Sequence, residues 1–224
     1  MSATVLAPVR QIIPVREVPR WFVLVHAAER LAAGAVLLLL APVLILLAAL
    51  TCILSQRSPL VAHLRVGQDG RPLWVLKFRT MWGTNEVRIG RRSGWLVEHI
   101  TERVCPAKCA SDPRVTSRFA KFCRRHSIDE LPQLIHVLRG QMSLVGPRPI
   151  TAVELQSHYG EYAAEILAAR PGLTGLWQIM GRNRLSYRQR LRLDLFLVRH
   201  RCPKLYLRVF LRSIPRVVSG KDAW

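Results

Sequence analysis

LAAGAVLLLLAPVLILLAALTCILS, residues 31–55, carries no charged side chain. At about 1.5 Å per residue, a helix of this length reaches across a hydrocarbon core about 30 Å thick. A core helix of a soluble domain would show a polar face, and this run has none. A secretory signal is excluded on two grounds. Its apolar region spans only about 7–15 residues, and here thirty residues containing Arg10, Arg16, Arg20 and Arg30 come first. The stretch is therefore read as a membrane segment.

Pro42 lies near the middle of the run, where its ring removes a backbone hydrogen bond and crowds the preceding turn, so a kink or break is expected there. Arginines precede the run, and Arg57, Arg65, Lys77 and Arg79 follow it. Basic flanks on both sides suit a re-entrant helical hairpin with both ends in the cytoplasm. The same residues fit a kinked single-pass span with a periplasmic N-terminus equally well. The expected division is a basic tail over residues 1–30, the membrane element over 31–55 and a catalytic domain over 56–224.

Within that domain, RVGQDGRPLWVLKFRTM (residues 65–81) reads as a hairpin with its turn at Asp69-Gly70 and a strand from Leu73 to Phe78. Residues 82–111 are broken by Gly83, Gly90, Gly94 and Pro106 and are expected to form a loop with a short helix. Leu131, Leu134, Ile135 and Leu138 follow i, i+3, i+4, i+7, which predicts a helix over residues 127–139 with Pro132 in its first turn. A second amphipathic helix is expected in LSYRQRLRLDLFLVRH (residues 185–200), capped by Ser186, with Leu191, Leu195 and Val198 on one face. LYLRVFLRSIPRVV (residues 205–218) fits either a helix against lipid headgroups or one packed on the domain.

The formal net charge is +20. That excess suits nucleic acid, but no zinc-finger, homeodomain or RNA-binding signature accompanies it. Anionic lipid and phosphorylated substrates account for it as well. The odd set Cys52, Cys105, Cys109, Cys123 and Cys202 forms no disulfide framework and agrees with a reducing compartment. Cys105 and Cys109 lack the second pair that a zinc site requires.

Asp129 and Glu130 stand at the start of the helix over residues 127–139. Adjacent carboxylates are commonly a solvated helix start, but these have company. Arg124 and Arg125 lie upstream, and Gly146-Pro147-Arg148-Pro149 follows as a stiff turn presenting a guanidinium. Guanidinium forks bind phosphates, and a carboxylate pair supplies a nucleophile and a ligand for a hard cation.

DPRVTSRFAKFCRRHSIDELPQLIHVLRGQMSLVGPRP (residues 112–149) closely resembles the signature block of the bacterial sugar transferases, also called monotopic phosphoglycosyl transferases. KFRTM (77–81), RPGLTGLWQIMGRN (170–183) and RLDLFLV (192–198) resemble further blocks of that family, in the same order. The resemblance implies a mixed α/β fold, mainly helical: a small membrane-associated catalytic domain anchored by an N-terminal re-entrant hairpin. It implies that Asp129 attacks a UDP-sugar, giving UMP and an aspartyl-phosphosugar, which undecaprenyl phosphate then attacks to give undecaprenyl-diphosphate-sugar. Glu130 would bind Mg²⁺, and Arg124 and Arg148 would contact phosphate. Lys77, Arg79 and Arg114 are phosphate-binding candidates, each with an alternative reading as salt-bridging scaffold. Asp112, with the same alternative, and Arg182 and Asn183 are candidates for the nucleotide or sugar.

The GLTGLWQ block resembles members that use a hexose such as glucose or galactose, and the short chain resembles initiators of exopolysaccharide or capsule synthesis. Downstream glycosyltransferases and the lipid of an inner membrane, at its cytoplasmic face, are the implied partners. Nucleic acid is not expected, and an oligomer is compatible. Trp74, Trp177 and His126 are read as packing or capping groups. Tyr206 departs from the pattern, standing where members often carry an acidic residue. Two rival readings are an inactive scaffold for polysaccharide assembly and a membrane-tethered nucleic-acid-binding protein.

Overall fold

A computed structural model of the chain describes residues 20–82, 89–101, 115–181 and 184–220. Helix α1, Arg20–Ser55, contains the whole apolar run and stays helical through Pro42. It begins inside the stretch read as a basic tail. Only 6% of its most apolar stretch is buried against the protein, and Leu38 and Leu39 are 80% and 77% exposed. A soluble core helix would be covered; this one leaves its apolar surface to lipid.

The first half of α1 is different. Phe22, Glu29 and Ala33 are buried, and Ala33 packs with Leu73, Val75, Leu134, Val137 and Met142. Arg30 Nε donates to the Leu138 carbonyl at 2.9 Å. The membrane helix is thus rooted in the domain's own core.

Strands β1, Leu60–Val66, and β2, Pro72–Phe78, form the expected antiparallel hairpin. Its turn places Asp69 at φ 55° and Gly70 at φ 72°, left-handed conformations that Asp and Gly tolerate. Alternation puts Leu73 and Val75 inside and leaves Trp74 37% exposed, edge-on to His99. The packing role read for Trp74 is therefore only partial.

Residues 82–111 hold no helix among the described residues. Two strands lie there instead: β3, Ile89–Ser93, and β4, Val97–Thr101. The sheet runs β2-β1-β4-β3, with β4 parallel to β1 and antiparallel to β3. The pairing energy of β4 comes from β1, whose Leu60 faces Val97 across the ladder, a separation that local periodicity does not register.

Helix α2, Arg118–Arg125, is capped by Ser117, whose side chain accepts from Ala120 N. The helix expected over residues 127–139 divides in two: a 3₁₀ segment, Ile128–Gln133, then α3, Leu134–Leu138. Ser127 is left-handed at φ 54° and Pro132 lacks an N–H, so the first turn closes with i to i+3 bonds such as Glu130 N to Ser127 O, 3.1 Å.

A second, two-stranded parallel sheet joins β5, Ser143–Val145, to β6, Gly172–Thr174. Between them run α4, Ala152–Glu154, and α5, Ala163–Leu167. Then come α6, Leu176–Met180, α7, Tyr187–Arg199, and α8, Pro203–Ser219. Ser186 caps α7 in a full capping box with Gln189. A Cβ on Gly172 would lie 2.1 Å from Gly146 N and 2.4 Å from Thr174 O, so these segments touch backbone to backbone. Gly172→Ala should therefore cost about 1–3 kcal/mol by overpacking, read as a lower thermal midpoint.

Candidate active site

The left-handed Ser127 turns the chain so that Asp129 points inward, leaving it 7% exposed. Burial raises its carboxyl to about 6; Lys77 and Arg124 oppose that rise and Glu130 adds to it. Lys77, on β2, donates from Nζ to Glu130 Oε1 at 2.6 Å, with both side chains half-buried. Lys77, Arg124, Asp129 and Glu130 therefore form one electrostatic unit, drawn from β2, the end of α2 and the 3₁₀ segment. A neighbouring lock holds this unit over the sheet: Leu76 N–H donates to His136 Nε2 at 3.2 Å, so Nδ1 carries the proton shared with Gln141 Oε1 at 2.8 Å.

Cys123, on the buried face of α2, has its thiol pushed up to about 11 by burial and by Asp129. It is a packing thiol. His126 caps α2, and its Nδ1 lies 3.2 Å from the Val217 carbonyl. That agrees with its reading as a capping group and ties α8 to the turn that carries Asp129.

Arg79 is placed elsewhere. It is 1% exposed, with Nη2 2.5 Å from Glu98 on β4 and Nε donating to the Ser58 carbonyl at 2.7 Å. This is the salt-bridging scaffold arrangement, not an open phosphate ligand. Breaking a buried pair strands the remaining charge, so Arg79→Met should cost about 3–5 kcal/mol, read by denaturant unfolding.

Arg148 joins a second cluster. Its Cζ lies 5.1 Å from the Trp177 ring centroid, and Arg190 stands over the same ring at 5.2 Å. Asp194, on α7, is fully buried and its carboxyl is raised to about 7 by burial, with Arg148 and Arg190 opposing. Among the described residues neither Arg148 Nε nor Trp177 Nε1 has a hydrogen-bond partner, and the Arg148 backbone N–H joins the two guanidiniums in opposing the rise at Asp194. Trp177 is buried, as expected. Sequence reading quoted Asp194 within RLDLFLV but gave it no role. The signal was present: residue 194 falls between Leu191, Leu195 and Val198 on the apolar face, where a carboxylate needs cationic company.

Asp112, Arg114, Arg182, Asn183, Cys105 and Cys109 lie outside the described residues. Among the described residues no group of three or more His, Cys, Asp or Glu could hold a metal. Mg²⁺ needs no such cage, since it takes one or two carboxylates and completes its shell with water and substrate phosphate. The adjacent Asp129 and Glu130 offer hard oxygen donors that fit it.

A membrane helix rooted beside a buried carboxylate, a second carboxylate and two cations defines an enzyme suited to phosphoryl-group transfer. The chain belongs to the bacterial sugar transferase family, whose model matches residues 21–220. It is 38% identical over 194 residues to the exopolysaccharide production protein ExoY of Rhizobium meliloti, covering 87% of this chain and 85% of that one. It is also 38% identical over 202 residues to a UDP-glucose:undecaprenyl-phosphate glucose-1-phosphate transferase of Caulobacter vibrioides, covering 86% and 69% of the two chains. Its match to the undecaprenyl-phosphate galactose phosphotransferase of Salmonella typhimurium, 38% identical over 146 residues, takes in 62% of this chain but 29% of that longer relative. The chain is a membrane-associated phosphoglycosyl transferase.

Proposed function

We propose that the chain transfers a hexose 1-phosphate from a UDP-sugar to undecaprenyl phosphate, the first step of exopolysaccharide or capsule synthesis. The observation that carries this reading is the buried Asp129 carboxyl beside Lys77, Arg124 and Glu130. The names of the glucose and galactose transferases it resembles support a hexose donor and a polyprenyl acceptor.

In the first half-reaction an Asp129 oxygen attacks the phosphorus that bears the sugar. A P–O bond forms, the diphosphate bridge breaks and UMP leaves, so the sugar phosphate rests on Asp129. In the second, an oxygen of undecaprenyl phosphate attacks the same phosphorus, breaks the acyl-phosphate bond and regenerates the carboxylate. Arg124 and Lys77 stabilise negative charge on the phosphoryl oxygens. Arg148, held against Trp177, contacts the diphosphate. Glu130 would hold Mg²⁺, which would supply neutralisation of phosphate charge.

The membrane element is proposed to be re-entrant, with the domain at the cytoplasmic face of the inner membrane. Support comes from connectivity: Glu29 bonds to Ser143 and Leu144 in the domain, and β1 begins five residues after α1 ends. Both ends of α1 therefore return to one domain. Downstream glycosyltransferases would receive the product.

UMP release by the purified chain, with Mg²⁺, undecaprenyl phosphate and a panel of UDP-sugars, tests the reading. Release with a UDP-hexose is the expected result. Folded, membrane-inserted protein that releases no UMP with any donor would favour a scaffold role instead.

A further inference from the structure

Trp95 is 87% exposed, the most exposed large apolar side chain among the described residues, and its neighbour Leu96 is 39% exposed. Both stand at the tip of the turn that joins β3 to β4. Gly94 N–H donates to the Val97 carbonyl at 3.0 Å, and a Cβ on Gly94 would lie 3.0 Å from that same oxygen. The chain therefore doubles back tightly and carries the two apolar side chains outward.

The tip is fixed to the end of the membrane helix. Ser58 Oγ donates to the Gly94 carbonyl at 2.5 Å, and Leu60 N–H donates to the Leu96 carbonyl at 3.2 Å. Ser58 follows the last residue of α1 by three positions, a chain reach of at most about 11 Å. Its own carbonyl accepts from Arg79 Nε at 2.7 Å, and Arg79 is paired with the buried Glu98 on β4. Helix end, turn and sheet are thus one joint built around Ser58.

The place of that joint identifies what covers Trp95. Ile53 and Leu54, in the last turn of α1, are 64% and 49% exposed, and the partly exposed Arg57 comes next. An apolar helix end followed by a cation marks headgroup level. Tryptophan concentrates at that depth because its ring is apolar and its N–H is wet. We propose that Trp95 and Leu96 insert into the bilayer at the headgroup boundary, making the β3–β4 turn a second membrane contact beside the exit of α1. The contact pins the four-stranded sheet at a fixed depth and tilt. It requires only that α1 enter the membrane, holds for a hairpin or a single span, and does not depend on the transferase reading.

The test uses the full chain in phosphatidylcholine vesicles. Six tryptophans emit, so the emission lost in Trp95→Phe isolates Trp95. Phosphatidylcholine brominated in the upper part of its acyl chains should quench that difference signal about twofold or more, and aqueous acrylamide should quench it less than about half as strongly as free tryptophan. Diluting the protein in lipid should change neither. Trp95→Phe alters an exposed site and should keep the thermal midpoint, so folded proteins are compared. Strong acrylamide quenching with no effect of bromine would place Trp95 in water and overturn the contact, leaving the tip to a soluble partner. Protection lost on dilution would assign the tip to a second copy of the chain and overturn it equally.

Discussion

Asp129→Asn is expected to abolish UMP release and, in the same protein, to raise the thermal midpoint at pH 7.5. The loss follows from replacing the carboxylate proposed to form the covalent bond to phosphorus by a non-nucleophilic amide, and should reach about 10⁴-fold or more. The gain follows from linkage. Asp129 titrates at about 6 in the folded chain against an ordinary 3.8, because burial disfavours its charge. Between those values the folded protein holds a proton that the unfolded chain has released. Stability from this group is therefore greatest below pH 3.8, declines as pH rises to about 6 and is level beyond.

Asparagine has the same shape and no charge, so the variant escapes that decline. Its advantage should vanish near pH 4 and be complete at pH 7.5, measured by thermal unfolding without divalent cations. In the native enzyme, kcat/KM for UMP release should fall on the acid side as the Asp129 carboxylate takes up a proton. A profile that stays flat through the acid range would show that protonation of Asp129 does not limit the reaction.

The second large effect is placed at Asp194, in the cluster with Arg148. At pH 8 its carboxylate stands against Arg148 and Arg190, both of which lie over the Trp177 ring. Asp194→Asn keeps the volume and removes the charge that balances the two guanidiniums. If Arg148 grips the diphosphate, a displacement of about 1 Å lowers kcat/KM about 100-fold. Asp194 also titrates high, at about 7, so its contribution to stability shrinks as pH climbs from 3.8 to about 7. The variant should show a shallower fall in stability over that interval. Steady-state kinetics with a UDP-hexose, paired with denaturant unfolding at three pH values, checks both halves. Unaltered kinetics would show that Arg148 is held well enough without Asp194.

Much of the framework was legible because it is local. Asp69-Gly70 marked its hairpin, since both residues tolerate the left-handed turn that joins β1 to β2. Ser186 marked the start of α7 through its bond to Gln189 N, and the bare apolar run marked α1. The strands at residues 89–101 were not legible. They are short, polar and set among glycines, and β4 exists by pairing with β1. Lys77 and Arg79, two positions apart in one motif, were equivalent as symbols. The chain separates them because β2 ends at Phe78, sending Arg79 to Glu98 while Lys77 stays with Glu130.

The sequence by itself determined that the chain meets a membrane, which family motifs it carries and which carboxylate pair stands at their centre. These depend on composition and on order along the chain. Tertiary structure alone decided that Asp129 is buried and high in pKa, that Asp194 answers Arg148, and that Glu29 of the membrane helix is held by Ser143, Leu144 and Tyr206. The physical reason is desolvation. What a charge costs depends on which distant residues exclude water from it and which cations they bring along.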